Sequence, residues 1–465
     1  MGTGDILGGN EPCTCPCSER GINLGLNRTT GVSSLNRICF IALFLLSSLP
    51  ILAQGPLPHL DFSITGTAYP ELDMPTITKS EHIYEFKADG TLQKKRWSFS
   101  YEFYGKYQGQ SEFPRERLLF DLPNTYLEYR QALWRLRLGS QVYDWGVLEG
   151  FRPLDRINPS IYHNPLNPQK LGAGSAQLLF EKGNWQTEVL FIPQQRRSHF
   201  PAEDSPWLPR EFLQQLDTAF GTILLPKDIR YHYLPSIVSQ RALQGNAGLR
   251  LKWRSLDWDL SVSHFEGVNP VPLLRPVVDL VPVVIGPEPV YRAQSDVSLE
   301  PYYYRQRTSG LTAVYAGEEW IARVEAAYHH ALTEESGVDQ WAWEGGVNVE
   351  RSGSIGSTAW TALLQYHQGE HAQQADNLAS SSARIFDEAW VLGYRLGFSE
   401  QQSLTLRSLY SPPASGSYLS LIWEDTFWDR FKIQLSGSWL DGDKESLLGT
   451  YRKNDAYQIT VQTYF

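Results

Sequence analysis

The sequence predicts an all-β fold: a transmembrane, antiparallel up-and-down β-barrel of about 18 strands, with 16 as the alternative count. Three observations carry that expectation. Segments of about ten residues alternate between apolar and polar side chains. The connections between them alternate between short turns and long loops. The chain also stops inside one such segment, YQITVQTYF, on Phe465.

Composition agrees. Aromatic residues make up 13% of the chain, with 15 Trp and only 2 Met, and mean hydropathy is −0.34. Past the N-terminal region, no run reaches the roughly 20 apolar residues that a membrane helix needs. The net charge is −10, which argues against a nucleic-acid partner.

The N-terminal 53 residues read as a targeting region. Arg37 precedes the apolar run ICFIALFLLSSL at 38–49, and Ile51-Leu52-Ala53 offers a small-residue cleavage site before Gln54. The residues before Arg37 carry no usable pattern and read as an overlong gene start, with translation beginning near Val32 or Leu35. All four cysteines (Cys13, Cys15, Cys17, Cys39) fall ahead of the cut, so the exported chain has neither disulfide nor thiol nucleophile. The Cys13-Thr-Cys-Pro-Cys17 run lacks the usual C-x2-C spacing and a second pair, so no metal and no cofactor are expected. Residues 54–465 then form a single barrel.

The strands follow in order. In WSFSYEFYGKY, Trp97, Phe99, Tyr101, Phe103 and Tyr107 share one face, opposite Glu102, Tyr104 and Lys106. In WQTEVLF, Trp185, Thr187, Val189 and Phe191 share a face. In GLRLKWRS, Leu249, Leu251 and Trp253 oppose Arg250, Lys252 and Arg254. The pattern returns at 320–328, 341–349, 360–366, 390–398 and 431–439. Trp and Tyr recur near the ends of the apolar faces, as in lipid-facing strands bounded by aromatic girdles. Short turns fall near Gly183, Ser255, Gly317, Gly356 and Glu400, and long loops at 141–172, 194–243, 267–300 and 369–387. Regular short–long alternation fits a barrel better than a sandwich or propeller.

Four features are functional candidates. Inward charges on the strands are the first: Glu102, Arg135, Arg137, Arg250, Lys252, Arg323 and Arg395, with Glu325, Glu344, Arg407 and Lys432. They either line water and set solute preference or pair across strands and hold the wall. The second is the segment 137–168, where Tyr143, Asp144, Arg152, Asp155 and Arg156 sit on a loop stiffened by Pro153 and Pro159. Such a loop either folds into the lumen as a constriction or stays outside as a lid. The third is 209–228, where Phe212, Leu213, Leu216 and Phe220 share a helical face, predicting a short helix. The fourth is the apolar loop 268–290, carrying Val271, Leu273, Leu274, Val277, Leu280, Val283 and Ile285. It lines an entry for hydrophobic solutes, touches lipid or a partner, or packs in the barrel mouth. His329, His330, His367 and His371 lie near strand ends without a G-x-S-x-G motif, so no enzyme is expected.

The last strand, ending in Phe465 after alternating apolar residues, resembles the C-terminal recognition signal of Gram-negative outer-membrane proteins. That resemblance implies outer-membrane localisation, contact with outer-membrane lipid and handling by the barrel-assembly machinery. The layout as a whole resembles porin-type channels, including the larger substrate-specific and polysaccharide-export barrels. It implies passage of small solutes. Two alternatives stay open: a transporter or exporter of hydrophobic or lipid-like cargo with a periplasmic partner, and a structural or adhesive barrel without a pore.

Overall fold

The computed structural model describes residues 58–72, 79–109, 118–208, 215–218, 221–224, 226, 229–286, 289–335, 338–372, 387–412, 415–443 and 447–465. The targeting region expected over 1–53 lies outside the described residues. The first strands are β1 (His59–Ala68), β2 (Ser80–Lys94) and β3 (Trp97–Gln108). β4 is interrupted, as Leu118–Asp121 and Thr125–Arg130 both pair with β3. Next come β5 (Trp134–Gln141), β6 (Ala173–Lys182), β7 (Trp185–Gln194), β8 (Gln244–Arg254) and β9 (Trp258–Val268). β10 (Arg305–Ala316), β11 (Trp320–Ala331), β12 (Trp341–Ile355) and β13 (Thr358–His371) follow. The last are β14 (Glu388–Gly397), β15 (Gln402–Ser411), β16 (Gly416–Phe427), β17 (Phe431–Asp441) and β18 (Ala456–Tyr464).

Each strand pairs antiparallel with its sequence neighbour, and β1 pairs with β18 from Asp61↔Tyr464 to Ala68↔Tyr457. Phe465 and Leu60 exchange two further backbone hydrogen bonds, at 2.9 and 3.1 Å. The ring is therefore closed with 18 strands and leaves no free edge, as a backbone in hydrocarbon requires.

Period-2 alternation decides the faces. Outward side chains are apolar and exposed: Phe99, Phe103, Leu178, Val189, Leu249, Leu311, Val324, Val347, Leu364, Leu421 and Ile459 among them. Two aromatic rims bound this band. Near the short turns, Trp97 packs on Tyr129 and Trp258 on Tyr315, with ring centroids 4.6 and 5.1 Å apart. Near the long loops, Tyr328 packs on Trp343 and Tyr366 on Trp390, each at 4.6 Å. Along β11, Trp320 and Tyr328 are eight residues apart, a tilted rise of about 20 Å, close to the hydrocarbon thickness such barrels span. The outward band is a lipid face, and the fold is an outer-membrane-type barrel. Gly183 and Gly356 hold two of the short turns at φ +57° and +63°, a region glycine enters without strain.

The connections on the other rim carry the extra structure. The apolar loop is a β-ribbon: Leu273–Val284 pairs antiparallel with Val290–Tyr303, with irregular register after Val278. Strands Gly221–Leu224, Arg230–Tyr233 and Ile237–Val238 join the ribbon in parallel, through Val290–Tyr303. This corrects the short helix expected over 209–228. Gln215–Thr218 and Gly221–Leu224 form a hairpin, and Phe212, Leu213 and Phe220 lie outside the described residues. β-Branched Thr222 and Ile223 suit the pleat, and pairing with a distant strand overrides the local helical period.

Candidate functional site

The connection from β5 to β6, residues 142–172, turns inward and crosses the lumen. Its start is held on its own side. The Tyr143 hydroxyl meets Ser175 Oγ at 2.6 Å, and Asn158 Nδ2 donates to the carbonyls of Gln141 and Leu171 at 2.9 and 2.7 Å. The Trp145 indole donates to Glu188 on β7 at 3.2 Å and sets its ring edge-on to Phe265 of β9, centroids 6.4 Å apart. Tyr143, Trp145, Leu154 and Ile157 form one apolar cluster with Leu190, Ile192, Phe265 and Ala327 of the wall.

The far end of the loop is held mainly by backbone donors, with two ion pairs beside them. Glu325, in β11 and 1% exposed, accepts from the amides of Val147 (2.6 Å), Leu148 (3.2 Å) and Leu154 (2.7 Å). Gln365 Oε1, in β13, accepts from the amides of Glu149 and Gly150 at 3.1 Å each. Arg156 meets Glu344 of β12 at 3.0 Å, and Arg323 of β11 meets Glu149 at 3.4 Å. A carboxylate taking three amide donors satisfies groups that a buried loop otherwise leaves orphaned. Each such charge-assisted bond contributes about 1.5–3 kcal/mol. The wall is notched where the loop presses on it. A Cβ on Gly310 would overlap the Leu154 methyls, and one on Gly248 would stand 2.7 Å from the Trp145 ring.

The five loop candidates take different places. Tyr143 and Arg156 bind the wall. Asp144, Arg152 and Asp155 make a network within the loop around Lys170, whose Nζ lies 2.6 Å from Asp144 and 2.7 Å from Asp155. Burial works against the Asp144 charge, but the Lys170 bond together with the charges of Lys170, Arg152 and Arg250 outweighs it and holds the carboxyl below its ordinary range. His163, on the returning limb, is pushed down to about 3 by burial, with Lys106 and His199 adding to the effect.

Most lumen charges sit in cross-strand pairs. Glu102 pairs with Lys87 (3.2 Å), Arg137 with Glu128 (2.7 Å), Lys252 with Asp259 (2.7 Å) and Arg323 with Glu350 (2.9 Å). Arg135 pairs with Glu181. Arg250 reaches Ser261 Oγ (3.4 Å) and the Asp144 carbonyl (3.3 Å), and Arg395 reaches Ser403 Oγ (3.4 Å). The histidines serve the same packing: His329 lies between Thr308 (3.0 Å) and Glu344 (3.4 Å), and His367 stands edge-on to Phe151. Gln365 carries no signal of this role in the sequence, and Glu325 reads there as a wall charge. The signal available for Glu325 was its register: it faces Thr312 and Gly346, neither of them basic.

A second inward element lies nearer the long-loop rim. Residues 200–208 run to the barrel wall around β15–β18. There Trp207 packs with Leu409, Leu440, Leu448 and Tyr451. The Tyr451 hydroxyl donates to the Trp207 carbonyl (3.0 Å), and Asn454 Nδ2 to the Pro206 carbonyl (2.8 Å). On the apolar ribbon, Leu273 is buried, Val271 and Leu274 are half-buried, and Val277, Leu280, Val283 and Ile285 are exposed.

No protein-family model matches the chain, and no curated protein matches it. Solved structures do. A variant of Rhodopseudomonas blastica porin aligns with TM-score 0.39 and 10% identity, covering 88% of this chain and 99% of that one. Acinetobacter baumannii OccAB4 aligns with TM-score 0.46 and 9% identity over 89% and 99%, and Pseudomonas aeruginosa OccK5 (OpdH) with 0.44 and 12% over 88% and 97%. The strand count and closure rest on the pairing register itself.

Proposed function

We propose that this protein is a porin-like channel of the Gram-negative outer membrane, passing small solutes through a lumen narrowed by loop 142–172. One observation supports this above the others: the loop's backbone is anchored at mid-wall, on Glu325 and Gln365, across from its point of origin. An external lid has no reason to supply five amides to inward side chains of β11 and β13. The loop fills the side from β6 to β14. On the other side, from β16 round to β1, the inner face offers half-buried Ser436, Gln458, Thr460, Gln462 and Thr65, a polar surface whose charges among the described residues are Asp61 and the Lys432–Glu424 pair.

A second reading draws on the ribbon. Ile285 is 88% exposed at its tip, beside exposed Val281, Val283 and Val284. An apolar patch above the mouth suits hydrophobic cargo or a partner better than ions. A periplasmic partner belongs with this reading. The exposed Phe465 ring is the group we assign to engagement by the assembly machinery.

Planar-bilayer recording of the chain from Gln54 onward, beside a deletion of 271–286, tests the proposal. Stable steps of equal size from both support a solute channel with a peripheral ribbon. Steps from the deletion alone favour the cargo reading. Silence from both folded proteins rules the channel out.

A further inference from the structure

At the long-loop end of β9–β11, the outward positions of the barrel change from apolar to charged. Arg305 and Arg307 on β10 share the carboxylate of Glu266 on β9, at 3.3 and 2.9 Å. His330 of β11 stands directly opposite Arg307 in the register. His264 of β9 meets Ser309 Oγ at 2.8 Å. Alternation fixes the side they face. Gln306 and Thr308 are buried toward the lumen, while the Arg307 side chain is 51% exposed on the outer surface. On β11 the patch lies two residues beyond Tyr328, roughly 7 Å past the Tyr328–Trp343 pair that bounds the lipid band. Long loops of such barrels lie on the extracellular side, so the patch stands at the headgroup level of the outer leaflet.

The bonding within it is uneven. Each Glu266 oxygen is taken by one arginine. Arg305 also turns its terminal nitrogens to the carbonyls of Gln244 and Gly245, at 2.6 and 3.2 Å. Arg307 binds Glu266 through Nε, and among the described residues its two terminal nitrogens have no partner. At the opposite rim the outward Arg351 is satisfied twice over, 3.2 Å from Glu319 and above the Trp320 ring. Here two guanidinium groups and two histidines face outward against one carboxylate among the described residues, on a chain of net charge −10. A guanidinium with its fork free matches the oxygens of a phosphate group. Below the patch, exposed Val262, Leu311 and Val324 continue the lipid face, which suits acyl chains and gives nothing to a free phosphate ion. We infer that Arg307, with Arg305 and His330 beside it, holds the phosphate of an outer-leaflet glycolipid whose chains lie along that face. The inference rests on the outer-membrane part of the reading above and is independent of conduction.

The test uses the full refolded chain in detergent, with diphosphoryl lipid A as the probe and native mass spectrometry to follow bound lipid across a titration. The wild type should bind lipid A more tightly than phosphatidylcholine, whose choline neutralises its own phosphate. Arg307→Gln should raise the Kd for lipid A by about tenfold and leave that for phosphatidylcholine unchanged. Glu266→Gln removes the competing carboxylate, so it should bind lipid A at least as tightly as the wild type. Inorganic phosphate at matched concentration should not displace the lipid. Equal lipid A binding by the wild type and Arg307→Gln overturns the inference, as does weaker binding by Glu266→Gln, which would mean that the arginines serve only the wall. Displacement by inorganic phosphate overturns it too, because it marks a site for free anions. Arg307 points away from the lumen, so Arg307→Gln should fold and give planar-bilayer steps equal to those of the wild type. A silent wild type would sink the channel reading alone, and the lipid titration would still decide this one.

Discussion

The two sides of the barrel interior are built from the same strand pattern and put to opposite uses. From β6 to β13 the inward residues include Glu188, Ser261, Thr308, Glu325, Glu344, Asn348 and Gln365, and all are buried. From β16 round to β1 they include Gln434, Ser436, Thr460, Gln462 and Thr65, and these are half-buried. The difference is loop 142–172. Polar inward residues on the first side act as a socket for backbone, while similar residues on the second face the lumen. A polar lumen wall is thus not in itself a sign of solute contact. What a residue does depends on whether a loop lies over it.

The largest expected effect comes from removing the socket. Glu325→Ala leaves the amides of Val147, Leu148 and Leu154 without their acceptor. A buried unpaired donor costs about 1–3 kcal/mol, so three partly rehydrated ones should cost roughly 3–5 kcal/mol of loop anchoring. Single-channel records should show larger steps and higher open-channel noise, and proteolysis should cut the loop. Ser436→Ala, on the other side, should leave both readouts unchanged. Matching traces from the two variants would erase the distinction between the sides.

The glycine notch gives a narrower comparison. Gly310→Leu drives a side chain into the space of Leu154, and overpacking of this kind costs about 1–3 kcal/mol. Gln434→Leu places a similar bulk on the open wall, where the change should stay within about 0.5 kcal/mol. Denaturant midpoints of the refolded barrels measure both. Equal shifts would mean that the loop yields freely and is not seated in the wall.

The barrel was legible because lipid enforces it. Outward positions in the hydrocarbon must be predominantly apolar, and the connections must alternate between two sides of a membrane, so period and loop length both reach the sequence. The depth of loop 142–172 was half legible. Its prolines and its Arg–Asp spacing marked it as ordered, and Arg156 indeed meets the wall. The anchors at Glu325 and Gln365 left little pattern beyond the neutral register neighbours of Glu325, because their partners are amides that every residue owns. The hairpin at 215–224 was hidden for another reason. Its partner, Val290–Arg292, lies some seventy residues on, and a local window reads Leu216 as helical before any distant strand is known.

The last effect concerns pH, and it tests how dry the loop side is. His163, on the returning limb of the loop, stays neutral because burial, with Lys106 and His199 nearby, holds it down to about 3. In the unfolded chain it titrates near 6.5. The unfolded state therefore takes up this proton first as the pH falls. The folded loop is at full stability above about pH 6.5 and loses it progressively from there toward pH 3, by at most about 1.4 kcal/mol per pH unit. His163→Gln removes the titrating group and keeps a polar side chain of similar reach. Unfolding midpoints of the variant should fall less steeply between pH 6 and pH 4 than those of the wild type. The two proteins should differ little in slope above pH 7. Parallel curves throughout would mean that water reaches His163 in the folded barrel, and that the loop side of the lumen is as wet as the side facing it.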